Sequence, residues 1–197
     1  MRKLLLISAL TFSSVAFGQA GGAWVSFGQS LLSNAGIGTD QIFGGTKNDV
    51  ALTDGFRFGL RFGFNWKTHF GHEIQYAYNR TQLKFNDQGG ASQGMAYHQG
   101  GYNFLYYINQ DTARVRVFGT GGVHFDNFAP PGTSAIQGGG SVKPGFNYGA
   151  GVKAKVHGIF SVRADVRQYL TGKPFGLPMA DGLLRQTEIS AGFGIGF

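Results

Sequence analysis

Residues 56–66, FRFGLRFGFNW, sort by parity: Phe56, Phe58, Leu60, Phe62, Phe64 and Trp66 share one register, and Arg57, Gly59, Arg61, Gly63 and Asn65 the other. Successive side chains leave a strand on opposite faces, so period two with this contrast is a strand with one apolar and one charged face. A chain that does this repeatedly must find two different environments, one on each side of a sheet.

It does so along most of its length. Phe70, Ile74, Tyr76 and Tyr78 oppose Glu73, Gln75 and Asn79. Residues 102–108 keep Tyr102, Phe104, Tyr106 and Ile108 in phase, but Leu105 and Tyr107 spoil the polar side. Val115, Val117, Val123 and Phe125 alternate with Arg114, Arg116, His124 and Asp126. Phe146, Tyr148, Ala150, Val152, Ala154 and Val156 face away from Asn147, Gly149, Gly151, Lys153 and Lys155. Phe160, Val162, Ala164 and Val166 interleave with Ser161, Arg163, Asp165 and Arg167, and Ile189, Ala191, Phe193, Ile195 and Phe197 with Glu188, Ser190 and three glycines. With a weaker opening run near AWVSFG, these make eight strands.

The connections alternate in length. Segments 31–53, 85–94, 127–145 and 171–185 are long and rich in small or polar residues, whereas 67–69, 109–112 and 157–158 are short turns. Long loops at one end and tight turns at the other are the pattern of an up-and-down barrel facing two compartments. The long segments read as solvated, mobile exterior loops.

Alternation alone leaves open which face is inside, and a secreted soluble barrel would bury the apolar one. Three features favour the inverted arrangement. Glycines 59, 63, 149, 151, 192, 194 and 196 fall on the polar side, where a narrow lumen needs small residues beside long cationic ones. Charges of both signs sit in mid-strand, where an enclosed interior allows them to pair. Aromatic residues flank the strand ends, with Trp66, Phe70, Phe160 and Phe197 toward one rim and Phe56, Tyr78, Phe125 and Phe146 toward the other, as membrane girdles require. Eleven residues at about 3.3 Å each, tilted about 40°, rise about 28 Å, which covers an apolar band of about 25 Å.

The first residues, MRKLLLISALTFSSVAFGQA, carry two cations, an apolar run and small residues at the end. This is the pattern of a cleavable secretory leader, with cleavage after Gly18 or Ala20, giving a 1–20 signal peptide and a 21–197 barrel domain. Beyond it no stretch is long and apolar enough for a helical span. The chain has no cysteine, which excludes disulfides, thiolate catalysis and cysteine metal clusters.

Eight strands, the leader and the terminal GFGIGF resemble the small outer-membrane barrels of the OmpA-like and OmpX-like type. The resemblance spans the chain after the leader. It implies an all-β, eight-stranded antiparallel up-and-down transmembrane β-barrel in the outer membrane of a Gram-negative cell, a monomer contacting outer-membrane lipid and lipopolysaccharide. It also implies that Ile189, Ala191, Phe193, Ile195 and Phe197 form the C-terminal signal read by the outer-membrane assembly machinery. The sequence reaches Phe197 at its last strand, so no peptidoglycan-binding domain of the OmpA kind is expected.

The phasing turns Arg57, Arg61, Arg114, Arg116, Lys153, Lys155, Arg163 and Arg167 inward against Glu73, Asp165 and Glu188. One reading is a salt-bridged polar core in a lumen just wide enough for side chains. Another takes the surplus of cations as the lining of a narrow anion-preferring or small-solute channel. The chain has 17 basic and 10 acidic residues, for a formal charge of +7, but inward cations make no exposed basic stripe, which argues against nucleic acid as a partner. For catalysis the best constellation is His124 with Asp126, for which no neighbouring nucleophile is identifiable, so no enzyme is expected. His69 and His72 are spaced as rim residues and not as metal ligands, and GFGIGF is followed by no helix, so neither a metal nor a cofactor is expected.

Overall fold

The computed structural model describes residues 21–32, 35–41, 43–66, 68–133 and 140–196. The leader assigned to 1–20 and the terminal Phe197 lie outside the described residues. Among those described there is no helix, and ten strands run in the order β1 (Gly21–Leu31), β2 (Ala35–Gly38), β3 (Val50–Leu52), β4 (Gly55–Trp66), β5 (Phe70–Phe85), β6 (Ala91–Tyr107), β7 (Val115–Ala129), β8 (Ser141–His157), β9 (Phe160–Gly172) and β10 (Leu183–Gly196).

Eight of them close a barrel. Each pairs antiparallel with its chain neighbours, β1 with both β4 and β10, and the β5–β6 ladder completes the ring. Closure leaves these eight no free edge, as any backbone in lipid demands. The registers bring like faces together. Val25 lies opposite Leu60 and Phe193, Phe62 opposite Ile74, and Val117 opposite Val152, so apolar side chains form continuous rows around the outside. Phe62 is 50% exposed and Phe193 61%, whereas Arg57 and Arg61 are 1% exposed. The apolar face is therefore outward and the charged face inward, which removes the secreted soluble barrel.

Glycines on the inner face make the room that this arrangement needs. A Cβ at Gly149 would lie 2.9 Å from Arg167 Cγ, and one at Gly151 2.5 Å from the Phe118 ring. Gly194 similarly admits the Trp24 indole, whose nearest atom would be 2.4 Å from an added Cβ.

The long-loop end differs from the expectation. Segment 31–53 is not simply a loop, because β2 and β3 lie within it and continue the first hairpin outward, with Gly36 opposite Ala51 and Val50 opposite Phe85. The break between β3 and β4 stays tied to the wall: Thr53 N–H donates to the Gln82 carbonyl at 3.0 Å, and Asp54 accepts from Leu32 N–H at 2.6 Å. The other long connections are shorter than expected, since β6 begins at Ala91, β8 at Ser141 and β10 at Leu183. The wall thus rises past the apolar belt and encloses a second, apolar core of Leu32, Ile37, Val50, Leu52, Leu83, Met95, Tyr97, Phe128 and Leu184. Phe175 and Leu177, from the connection 173–182, pack against it. Those short apolar runs fold inward as a cap.

Candidate functional site

The barrel interior is layered. Midway along it four guanidiniums meet three carboxylates. Arg61 spans Asp165 (Nη1–Oδ2, 2.7 Å) and Glu188; Arg57 reaches Glu188 at 3.2 Å; Arg167 holds Glu73 at 2.8 Å and Asp165 at 3.1 Å; Arg163 pairs with Glu73 and with Asp165. Tyr169 donates its hydroxyl hydrogen to Glu188 at 2.7 Å, and Ser190 to the same carboxylate. Removing each ion from water costs several kcal/mol, on the order of the penalty for any buried ion, and multiple charge-assisted bonds offset it. Every group here alternates with a lipid-facing neighbour, so strand phase turns it inward, and the paired registers bring charges from β4, β5, β9 and β10 to one level.

Above this network lies a neutral-to-acidic layer. Asp126 accepts from Gln99 (2.8 Å) and from Thr171 Oγ1 (2.9 Å), and His124 Nε2 shares a hydrogen bond with the same hydroxyl at 2.7 Å. The sequence singled out His124 and Asp126, and the hydroxyl beside them comes from Thr171, 45 residues beyond Asp126. All three are buried between the charged network and the apolar cap, and the Tyr169 ring stands edge-on to the imidazole.

Below the network, at the short-turn end, sits an aromatic layer. Leu105, Tyr107 and Phe118 cluster there, and the Trp24 indole donates to Ser161 at 2.8 Å. This explains the residues that spoiled the polar face of the third run: Leu105 and Tyr107 point inward, onto Phe118.

The eight inward cations of the sequence reading therefore separate into three groups. Arg57, Arg61, Arg163 and Arg167 enter the ion-pair network. Arg114 and Lys155 do not, being exposed at the short-turn mouth, where Arg114 Nε donates to the Lys155 carbonyl and Lys155 Nζ to the Asp111 carbonyl. Arg116 and Lys153 lie just inside that mouth, against aromatic faces: the Arg116 guanidinium carbon is 3.6 Å from the Tyr107 ring centroid, and Lys153 Nζ is 3.8 Å from the Trp24 ring. The physical reason is end position. Turn residues and the first and last strand residues lie beyond the carboxylates of the middle layer, whatever their parity.

Outside, the rim at the long-loop end carries Arg80 and Lys84 on β5 and Arg185 on β10, in register with the apolar face below them. Beside Arg185 a notch of about 620 Å³ opens in the wall, lined by Leu31, Leu32, Leu170, Leu183 and Leu184 with Lys173. On the outer face of β5 and β6, His72 hydrogen-bonds Tyr102, and His98 hydrogen-bonds Tyr76 at 2.6 Å. His69 lies beside Tyr106 at the opposite rim. Among the described residues no cluster of metal-ligating side chains occurs. Of the C-terminal signal, Ile189, Phe193 and Ile195 are outward on β10.

Comparison with known proteins agrees with this architecture. The profile described as outer membrane protein beta-barrel domain matches residues 4–197. The chain belongs to that family. Curated proteins offer no sequence match. Three solved structures share the fold: OprG from Pseudomonas aeruginosa (14% identity, TM-score 0.66, covering 90% of this chain and 95% of that one), Neisserial surface protein A (17%, 0.56, 92% and 98%), and Ail of Yersinia pestis in complex with the heparin analogue sucrose octasulfate (16%, 0.54, 92% and 100%). At these identities the likeness is one of fold, and membership of the family assigns the chain to the outer membrane.

Proposed function

We propose that this family member is a closed, monomeric, non-enzymatic barrel whose task lies on its outer surface. The observation that carries the reading is the filled lumen. The side chains of Arg57, Arg61, Arg167, Tyr169, Tyr97 and Phe128 are all buried inside the barrel, in charged and apolar layers that succeed one another. A pore of this width conducts only if ions replace such contacts, and paired charges hold their positions. Planar-bilayer recording tests it: the closed reading expects a bare-membrane baseline, and steady unitary currents would establish instead the narrow anion-preferring channel.

The outer partners follow from charge and apolarity together. Arg80, Lys84 and Arg185 stand just above aromatic and aliphatic side chains at the level of lipid headgroups, and the notch beside Arg185 offers apolar walls with a second cation, Lys173. Phosphates of lipopolysaccharide meet these cations while acyl chains lie along the belt below. The sulfated ligand of Ail accords with such use of a barrel of this fold. Native-state mass measurement of the protein extracted with its lipids checks the partner and the monomer together. The C-terminal strand is read by the assembly machinery, and the leader at 1–20 directs export.

A further inference from the structure

The short-turn mouth opens into a cavity of about 280 Å³, and Arg114, Arg116, Lys153 and Lys155 are all among its walls. One acidic residue, Asp111, joins them. Among the described residues no carboxylate comes within 4.0 Å of any of the four cations, although eight such pairs join the arginines of the middle layer to Glu73, Asp165 or Glu188. Arg116 is 4% exposed; its Nη2 donates to the Thr68 carbonyl at 2.7 Å, and its Nε has no hydrogen-bond partner among the described residues. Among the described residues Lys153 Nζ hydrogen-bonds the Tyr107 hydroxyl alone, at 3.2 Å, and lies 3.8 Å from the centre of the Trp24 ring.

Aromatic faces attract cations by about 0.5–2 kcal/mol each, but they carry no net charge, and the one carboxylate in the wall, Asp111, offsets only part of the mutual repulsion of four cations. An incoming multivalent anion removes it. Planar forks from two arginines and compact ammonium groups from two lysines surround one volume, which suits a tetrahedral oxyanion with several acceptor oxygens better than a single planar carboxylate. The walls Ile159 and Gly158 belong to the turn that meets the inner-leaflet surface, and they leave an apolar side for an organic substituent.

We infer that the periplasmic mouth of this barrel is a binding site for a phosphate-bearing anion, held by Arg114, Arg116, Lys153 and Lys155 over a floor that includes Trp24. The site is independent of whether the lumen conducts. Its occupant is either a soluble phosphate ester of the periplasm or the headgroup of an inner-leaflet phospholipid, and the chemistry of capture is the same.

The chain has two tryptophans, so Trp66→Phe leaves Trp24 as the reporter at the floor of the site. The full-length protein, folded in zwitterionic micelles, is titrated with inorganic phosphate and with glycerol 3-phosphate; a parallel series in nanodiscs raises phosphatidylglycerol against phosphatidylcholine. The expected result is a saturable change in Trp24 emission that weakens with salt, and affinity roughly ten- to hundredfold lower for each charge-assisted contact removed, in Lys153→Gln and in Arg114→Gln with Lys155→Gln. Saturation by glycerol 3-phosphate identifies a soluble ligand, and saturation by phosphatidylglycerol alone identifies a headgroup; either supports the site. Arg114 and Lys155 are exposed, so their double variant remains informative if Lys153→Gln does not fold. No saturation with any of the three probes, or saturation that the exposed double variant leaves unchanged, overturns the inference.

Discussion

Arg163 grips Asp165 from two positions along the same strand, with Nε 2.7 Å from Oδ2 and Nη2 2.9 Å from Oδ1. Both residues face inward because they are two apart, and their bidentate contact fixes the carboxylate for Arg61 and Arg167 as well. This single acid is shared by three guanidiniums.

Asp165→Asn therefore leaves Arg61, Arg163 and Arg167 with fewer charges to face, and removing one partner of a buried ion pair costs about 3–5 kcal/mol. Urea unfolding in lipid vesicles, followed by tryptophan emission, should show that loss. The joint replacement Arg163→Met with Asp165→Leu should cost less than Asp165→Asn alone, because it leaves less charge unpaired. Equal or greater loss in the double variant would mean that the network is held by packing and not by charge balance.

The orientation of the wall gives an independent check. Phe62 is outward at mid-strand between Ala23 and Ile74, so Phe62→Arg should destabilise the barrel by about 2–4 kcal/mol from the cost of the cation in lipid, with the lost apolar contact in addition. Lipid-phase photolabels should react at residue 62 and spare residue 61. Labelling at Arg61 would invert the barrel.

The apolar cap is a folded unit in its own right. Leu52 is fully buried there, and Leu52→Ala should cost about 2–5 kcal/mol, the usual range for such a truncation in a core. The loss should be local. Amide exchange is expected to accelerate in β2, β3 and the outer ends of β5 and β6, while the ladders below Arg57 keep their protection. Uniform acceleration throughout the barrel would show that cap and belt unfold together.

The strands of the belt were legible from sequence because lipid on one side and charge on the other make the strongest contrast a period of two can carry. The cap was not. β2 and β3 are four and three residues long, too short for any period to show, and Ile37, Val50 and Leu52 gain their burial from partners on β5, β6, β7 and β10. Trp24, in the weak opening run, turns inward because Gly194 and Gly63 leave room for its ring, a vacancy that only the register of β1 against β4 and β10 creates. The interior charges could be phased but not levelled. Parity places Arg114 and Arg61 on the same side of a strand, and only the paired ladder sets one at the mouth and the other among the carboxylates.

Acid should loosen the outer end of the first hairpin. Asp49 accepts from Thr46 N–H at 2.5 Å, from Thr46 Oγ1 at 2.7 Å and from Thr39 Oγ1 at 2.9 Å, while its carbonyl receives Asn86 N–H at 2.8 Å and so ties this hairpin to the next connection. The bonds from Thr46, first its side chain and then its backbone, favour the carboxylate and hold its pKa below the ordinary 3.8. A carboxyl depressed on folding contributes order above its unfolded pKa and loses that contribution as pH falls through the lower, folded value. Limited proteolysis within residues 39–49 should thus be slow and flat with pH at neutrality, then accelerate below about pH 4, near the unfolded carboxylate value. Asp49→Asn abolishes the charged acceptor, so its cleavage should already be faster at pH 7 and should vary less with acidification. An Asp49→Asn profile that parallels the parent would assign the acid response to another group.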